Sequence, residues 1–150
     1  MAQPLLSVKN LTVEFTIRDG VVPVIDDLSF DLIPGETLSL VGESGCGKSM
    51  TALAIMGLIP SPPGEISAVS IVFQGEDLVQ ASDRRLREIR GNEVSMVFQE
   101  PMTSLKPVYT VGEQIAETLR RHQGLTRNQA KDQAIQMIDA VQIPLSLIHI

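Results

Sequence analysis

The chain has 150 residues, the length of one domain or of part of a larger one. Hydrophobic residues make up 43% of it, and 12 basic against 18 acidic residues give a net charge of −6. This charge argues against nucleic acid or an anionic membrane surface as the main partner. One cysteine excludes an internal disulfide, and no apolar run is long enough to cross a bilayer, so the composition predicts a cytoplasmic protein.

The first part of the chain predicts a small antiparallel sheet. Apolar and polar residues alternate imperfectly over Leu5–Ile17, with an interruption at Lys9-Asn10. Arg18-Asp19-Gly20 is typical of a hairpin turn, after which the alternation resumes and continues to Leu32. A second turn then leads into Leu38–Val41, an apolar run of strand length.

The next segment has the phosphate-loop pattern G-x-x-x-x-G-K-[ST], known as Walker A. Its residues are Gly42, Glu43, Ser44, Gly45, Cys46, Gly47, Lys48 and Ser49. Glycines let the backbone fold tightly and direct its amides inward, while Lys48 adds a charge for the β- and γ-phosphates and Ser49 is placed to ligate Mg²⁺. A helix predicted over Met50–Leu58 would direct its positive N-terminal end at the phosphates.

A glycine-rich surface turn is the alternative interpretation of this loop. The flanking sequence argues against it, because an apolar strand comes directly before the loop and a helical pattern directly after it. The sequence therefore favours nucleotide binding.

Further strands and helices are predicted after the loop. Glu65–Phe73 and Val94–Phe98 are predicted strands, and Asp83–Arg90 is a charged helix with four arginines. These arginines could contact phosphate, but a solvated helix face is favoured. Capping boxes at Thr110-x-x-Glu113 and Thr126-x-x-Gln129 predict two more helices. The whole pattern predicts an α/β nucleotide-binding fold, to which the antiparallel lead-in and the final helical pair are additions.

Two segments resemble the ATP-binding subunit of an ABC transporter, namely VGESGCGKS at Val41–Ser49 and VFQEPMTSLKP at Val97–Pro107. The string FQEPMTSL, with VGEQIAETL after it, is similar to the di- and oligopeptide importer subclass, which includes glutathione and nickel importers. The resemblance covers Leu5–Pro144. It implies a P-loop NTPase core of the ABC ATPase type, with an N-terminal antiparallel β subdomain and the start of a helical subdomain, in a truncated chain.

The resemblance also implies ATP and Mg²⁺ as cofactors and adds two residues to the site. Gln99 matches the Q-loop glutamine, which with Ser49 would contact Mg²⁺, and Met50 completes the predicted phosphate site. Phe15 matches the aromatic A-loop position. From pattern alone, packing in the sheet is favoured for Phe15 over stacking on adenine, and the resemblance reverses this preference. Lys106 departs from the family, which usually has asparagine at this position.

The partners implied by the resemblance are a second ABC ATPase subunit in a homo- or heterodimer, transmembrane permease subunits and, indirectly, an extracytoplasmic solute-binding protein. The location implied is peripheral, on the cytoplasmic face of the cell membrane. The family hydrolyses ATP with an LSGGQ signature, a Walker B aspartate, an adjacent glutamate and a switch histidine. None of these occurs in the 150 residues, so no catalytic residue is expected among them.

The expected domain is residues 1–144, the N-terminal part of a nucleotide-binding domain, and Leu145–Ile150 is expected to be a non-native tail. Its sequence, LSLIHI, is a direct translation of a DNA string that resembles the end sequence of a transposase-based sequencing adapter. An ordinary apolar strand is the alternative. For function, the alternative to a transporter ATPase subunit is a nucleotide-binding module without catalysis. A GTPase or kinase of another P-loop class would need a motif such as Asn-Lys-x-Asp, which the sequence lacks.

Overall fold

The structure is a computed structural model that describes residues 3–100 and 104–143. The chain divides into two compact units, Met1–Arg87 and Glu88–Ile150. The expected boundary at Pro144 and the tail Leu145–Ile150 lie outside the described residues. Within the described ranges, no helix combines the length and the apolar composition that crossing a bilayer requires.

The first unit is built on an antiparallel sheet beside one helix. Its elements are β1 (Leu6–Ile17), β2 (Gly20–Leu32), α1 (Lys48–Ile55), β3 (Gly64–Ser67), β4 (Ser70–Phe73) and β5 (Glu76–Asp77), and α2 (Asp83–Ile89) spans the boundary between the units. The sheet order is β2-β1-β4-β5, and β3 also pairs with β1. The predicted hairpin is confirmed, with Ile17 paired to Gly20 at its tip.

The core of this unit lies along β1, where Val8, Leu11 and Val13 are fully buried. Strict alternation would place Val8 and Leu11 on opposite faces, because they are three residues apart. A β-bulge at Asn10 corrects this: three β1 positions separate Val8 from Leu11, whereas their partners Phe30 and Leu28 are two apart. Asn10 has a φ of 51°, and its N–H donates to Ser29 Oγ at 2.8 Å. The polar interruption in the sequence is therefore this bulge.

The prediction of a single strand over Glu65–Phe73 is wrong, because two strands form there. β3 pairs with β1 over Thr12–Phe15, and β4 pairs with it over Leu6–Lys9. The β1 bulge lies between these two paired stretches, so one straight partner strand could not follow both. Val69 lies between the two strands. Its side chain is 74% exposed, and its N–H donates to Lys9 O at 3.0 Å.

Two other predicted strands, Leu38–Val41 and Val94–Phe98, form no ladder. Val41 is 95% exposed and Val97 is 92% exposed. In the second segment only Val94 makes a bridge, an isolated one to Arg90. Apolar runs of this kind suit a parallel sheet, which needs a partner on each side and a cover on each face. Among residues 3–100 and 104–143, no strand pairs with either run, and the predictions are wrong for that reason.

The second unit contains a helical hairpin of α3 (Val111–Gln123) and α4 (Arg127–Ala140), as predicted. Its core consists of Ala116, Leu119, Ala130 and Ala134, with Ile115 and Leu125 packed against it. Three alanines in this set let the two helices approach closely. Gly124, with a φ of 65°, ends α3 in the left-handed conformation that favours glycine.

Only one of the two predicted capping boxes forms completely. Thr126 and Gln129 satisfy each other's backbone N–H groups at 3.4 and 3.0 Å. Thr110 accepts from the Glu113 N–H at 3.2 Å, but the Glu113 carboxylate binds Arg120 at 2.6 Å instead of returning to the cap. The Arg120 guanidinium carries a positive charge that the backbone N–H of Thr110 lacks, so it attracts the carboxylate more strongly.

This ion pair gives the stability of the second unit a small dependence on pH. The hydrogen bond from Arg120 is the main cause that lowers the pKa of Glu113 below its usual value. A carboxyl whose pKa is lower in the folded state stabilises that state above its unfolded pKa. The contribution is lost as the pH falls through the lowered value. Both side chains are partly exposed, so the pair stabilises the helix only weakly.

A polypeptide of residues 1–150 is expected to bind the dye ANS and to unfold without a sharp transition, because its two unpaired apolar runs face solvent. The double variant Val41→Asp, Val97→Asp should bind less dye. Val69→Asp is the matched control, since Val69 is exposed outside these runs. Fluorescence titration and thermal unfolding check this prediction, and a cooperative transition without dye binding would contradict it.

Candidate functional site

The phosphate loop is joined to the rest of the first unit at the start of α1. Gly47 is the N-cap residue, with a φ of 89°. Its carbonyl accepts two hydrogen bonds from Thr51, from the N–H at 2.8 Å and from Oγ1 at 3.0 Å. Thr51 is only 3% exposed, so its hydroxyl is satisfied inside the fold. Thr51 was not among the predicted site residues, and the signal that could have found it is a hydroxyl residue four positions after Gly47 on a buried helix face.

The same glycine lies against strand β2. A Cβ on Gly47 would lie 2.8 Å from the carbonyl oxygen of Val24 and 3.2 Å from Ile25 Cγ1, so a side chain does not fit here. Val24 is the extra residue of a β-bulge, because Ile25 pairs with Val13 while Pro23 pairs with Glu14. The bulge and the glycine together fix the loop to the sheet. This contact was not predicted, because a bulge between apolar residues has no clear signature in the sequence.

The loop closes around the ammonium group of Lys48. Its Nζ donates to the carbonyl oxygens of Gly42 at 2.8 Å and Glu43 at 2.6 Å, and it lies 3.4 Å from the sulfur of Cys46. The charge is therefore held at the centre of the loop by neutral acceptors. A phosphate oxygen, which carries negative charge, would be a stronger partner than either carbonyl.

The start of α1 is open to an anion. None of the described side chains caps it, and its first turn contains no acidic residue. The first amides of a helix lack internal partners, and the helix dipole makes this end positive. Ser49 is exposed in the first turn and Met50 is partly buried. Chemically, this arrangement can bind the phosphates of a nucleotide.

α1 is shorter than predicted, Lys48–Ile55 rather than Met50–Leu58. The helix starts at the lysine of the loop itself. It ends early because Gly57 adopts a φ of 61° and the Leu58 N–H donates back to Leu53 O at 2.8 Å. Together with the bond from Gly57 N–H to Ala54 O, this is a Schellman motif.

Phe15 lies on β1, between Val22 of β2 and Gly64 of β3. The ring edge packs on the backbone, since a Cβ on Gly64 would lie 3.2 Å from Phe15 Cε1. The side chain is only partly buried. β2 thus contacts both predicted site segments: Val22 pairs with Phe15, and Val24 approaches Gly47. The two roles considered for Phe15, sheet packing and stacking on adenine, are compatible with this position.

Gln99, the other predicted site residue, lies in the second unit and is exposed, as are Val97 and Phe98 before it. The remaining loop positions, Glu43, Ser44, Gly45 and Cys46, are exposed in the first unit. Among the described residues, no group of three or more His, Cys, Asp or Glu side chains could hold a metal ion.

A family profile described as "ABC transporter" matches residues 25–147 of this chain. The chain belongs to the ABC transporter family. The match contains the phosphate loop, Gln99 and both helices of the second unit.

The curated relatives include ATP-binding proteins of peptide transport. The chain is 45% identical to the dipeptide transport ATP-binding protein DppD of Bacillus subtilis, over 95% of its own length and 42% of that protein. It is 46% identical to the oligopeptide transport ATP-binding protein OppD of the same organism, over 94% of this chain and 39% of OppD. For OppD of Haemophilus influenzae the identity is 48%, over 94% of this chain and 43% of that protein. The chain therefore spans less than half the length of these relatives.

Solved ABC cassettes share the fold. Two dimeric structures of the ATP-binding cassette MJ0796, one in a post-hydrolysis state bound to ADP and Pi, have a TM-score of 0.78 with 20% identity. Each comparison covers 96% of this chain and 60% of the cassette. The predicted fold class, an α/β ABC ATPase fold with an antiparallel β subdomain and helices, is confirmed.

In the full-length ABC protein, Gly47→Ala is expected to lower the free energy of unfolding more than Gly45→Ala. Both glycines have positive φ, 89° and 85°, and an alanine there costs about 1–2 kcal/mol. Only Gly47 also meets the Val24 carbonyl, which adds about 1–3 kcal/mol of overpacking. Denaturant unfolding without nucleotide measures both variants. Equal losses would contradict the contact between Gly47 and β2.

Alkylation of Cys46 is expected to block nucleotide binding in the full-length protein. Its exposed thiol lies 3.4 Å from Lys48 Nζ, so an added group would occupy the space of a phosphate. Labelling followed by mass spectrometry, with and without MgATP, tests this, and Cys46→Ser serves as the unlabelled control. Labelling at the same rate in both conditions would contradict the placement of the thiol.

Proposed function

We propose that the full-length protein is the ATP-binding subunit of an importer of di- and oligopeptides or related small solutes. The observation that carries this proposal is the identity of 45–48% to dipeptide and oligopeptide transport ATP-binding proteins over about 95% of the chain. Hydrolysis of ATP in the complete protein would power the transport. The solute itself would be selected by other subunits.

The loop geometry supports ATP as the ligand. Lys48 would exchange its two carbonyl acceptors for oxygens of the β- and γ-phosphates, and the first amides of α1 would bind the same phosphates. The three loop glycines let the backbone fold tightly: Gly47 lies against β2, Gly42 lies against the Cys46 side chain, and Gly45 is exposed. Phe15 would stack on the adenine, where its exposed face is available.

Magnesium would enter with the nucleotide. A hydroxyl and an amide oxygen are hard ligands of the kind that Mg²⁺ accepts, and Mg²⁺ usually keeps several waters and phosphate oxygens in its shell. Ser49, exposed in the first turn of α1, fits this requirement and would hold the ion together with Gln99. The ion would neutralise phosphate charge when bound.

The proposed partners follow from the family. Solved cassettes of this fold are dimeric, which supports a second ABC ATPase subunit as a partner, in a homo- or heterodimer. Permease subunits would hold the protein at the cytoplasmic face of the cell membrane, and a solute-binding protein outside the membrane would act indirectly. Residues 1–144 would be the N-terminal part of the nucleotide-binding domain, with 145–150 as a non-native tail.

A second candidate applies to residues 1–150 alone. This sequence has no LSGGQ signature and no apolar strand ending in Asp-Glu after Gln99, so nothing in it would orient the attacking water. A polypeptide of this length would therefore be a nucleotide-binding module without catalysis. Phosphate release by residues 1–150 would exclude this candidate.

The test of the main proposal is peptide uptake by proteoliposomes that contain the full-length protein with its permease subunits. Lys48→Ala is expected to abolish ATP-driven uptake and to lower ATP affinity about tenfold to a hundredfold, because charge-assisted hydrogen bonds to phosphate are lost. Titration calorimetry gives the affinity.

Lys9→Ala is the matched control. Lys9 belongs to the same unit, and its ammonium pairs with Asp31 at 3.1 Å on the sheet. Uptake and ATP affinity should stay at the wild-type level in this variant. Unchanged affinity in Lys48→Ala would remove Lys48 from the site, and a wild-type protein that imports no peptide would contradict the proposed solute class.

A further inference from the structure

The side chain of Gln114 holds a turn that precedes α3. Its Oε1 accepts from the Lys106 N–H at 3.0 Å, while its Nε2 donates to the carbonyl oxygens of Lys106 at 3.1 Å and Tyr109 at 3.0 Å. One amide thus binds three backbone groups of the same four-residue segment. This uses both donors and one acceptor of the glutamine.

The segment is a β-turn, Lys106-Pro107-Val108-Tyr109, which the Tyr109 N–H closes by donating to Lys106 O at 3.2 Å. Proline at the second position is the residue that favours this turn. Thr110, which follows directly, caps α3 through its contact with the Glu113 N–H. The turn and the first turn of α3 therefore form one hydrogen-bonded piece.

Burial does not hold this turn in place. Leu105 is 46% exposed, Val108 is 81% exposed and Tyr109 is 56% exposed. The Lys106 ammonium lies 5.9 Å from the centre of the Tyr109 ring, a cation–π contact that is weak at an exposed site. Polar contacts must therefore determine where the turn lies, and Gln114 makes three of them.

In the sequence, the turn lies between Gln99 and α3. Val97, Phe98 and Gln99 are exposed, so packing does not fix this end of the path firmly. The other end, at Thr110, is fixed by the cap of α3. A displacement of α3 would reach Gln99 through the turn only if the turn moves with the helix.

We propose that Gln114 is a positioning residue that makes the Lys106–Tyr109 turn move with α3, so that displacement of the helical hairpin is passed to Gln99. This inference rests on the proposed function, in which Gln99 contacts the Mg²⁺ of bound MgATP and the permease stimulates hydrolysis. Gln114 itself touches neither nucleotide nor metal in this account. It acts through the backbone of the turn.

Two variants of the full-length protein test the proposal, each reconstituted with its permease subunits. Gln114→Met keeps the length and helix propensity of the side chain but removes all three hydrogen bonds. Gln114→Glu keeps an acceptor for the Lys106 N–H. It also places a carboxylate oxygen, which cannot donate, next to the carbonyl oxygens of Lys106 and Tyr109. The matched control is Gln136→Met, because Gln136 is an exposed glutamine of α4.

The first measurement is hydrogen exchange over residues 104–109. The Lys106 amide, which donates to Gln114 in the wild type, is expected to exchange about tenfold faster in Gln114→Met, and near the wild-type rate in Gln114→Glu, which keeps an acceptor, and in Gln136→Met. Unchanged exchange of this amide in Gln114→Met would overturn the proposal at its structural step.

The second measurement is the ratio of permease-stimulated to basal ATP hydrolysis. It is expected to fall about threefold to tenfold in both Gln114 variants, while ATP affinity and the unfolding midpoint stay near the wild-type values. A double-mutant cycle with Gln99→Ala adds the decisive step. If Gln114 acts through Gln99, Gln114→Met causes no further loss in the Gln99→Ala protein.

Three outcomes contradict the inference alone, given a wild-type protein that imports peptide: a ratio unchanged in the Gln114 variants, a full additional loss on the Gln99→Ala background, or equal losses in affinity, stability and stimulation. The last outcome would mean a general structural role. Failure of the wild-type protein to import peptide would contradict the proposed function instead, so the two failures can be distinguished.

Discussion

The close approach of Gly47 to the carbonyl of Val24 is the constraint on which the rest of the candidate site depends. It fixes the N-terminus of α1 against a bulge of β2, at a distance that leaves no room for a Cβ. Once α1 starts there, the loop before it closes over the Lys48 ammonium, and the first amides of the helix have no side-chain cap among the described residues. A phosphate bound at the proposed site would displace only neutral acceptors of the Lys48 ammonium, namely two carbonyl oxygens and the Cys46 sulfur.

The second unit is organised by different forces. Its helical hairpin has a small alanine-rich core, and the residues before α3 are held by polar contacts rather than by burial. Exposed hydrogen bonds open more readily than buried packing. The contacts of Gln114 therefore decide whether this segment moves together with α3 or separately from it.

The sequence predicted what local patterns control. The β1–β2 hairpin and the two capped helices depend on residues that lie close together in the chain, and each was located correctly. Phosphate binding by the loop of residues 42–49 stays a prediction. The Val24 bulge and the Thr51 hydroxyl were missed, because their roles depend on which residue they meet in space. Glu113 was assigned to a capping box, but a cation seven residues later competes for its carboxylate. The strands at Leu38–Val41 and Val94–Phe98 were predicted from apolar character alone, and a strand also needs neighbours that the described residues do not provide.

A crystal structure of the full-length protein with Mg²⁺ and a non-hydrolysable ATP analogue would test the central claim most directly. The account predicts phosphate oxygens inside the loop formed by residues 42–49, with the Lys48 Nζ moved from the carbonyls of Gly42 and Glu43 to those oxygens. The contact between Gly47 and Val24 should be unchanged, because the loop is already in its binding conformation. A nucleotide bound elsewhere, or a loop that must detach from β2 to admit the phosphates, would contradict the account.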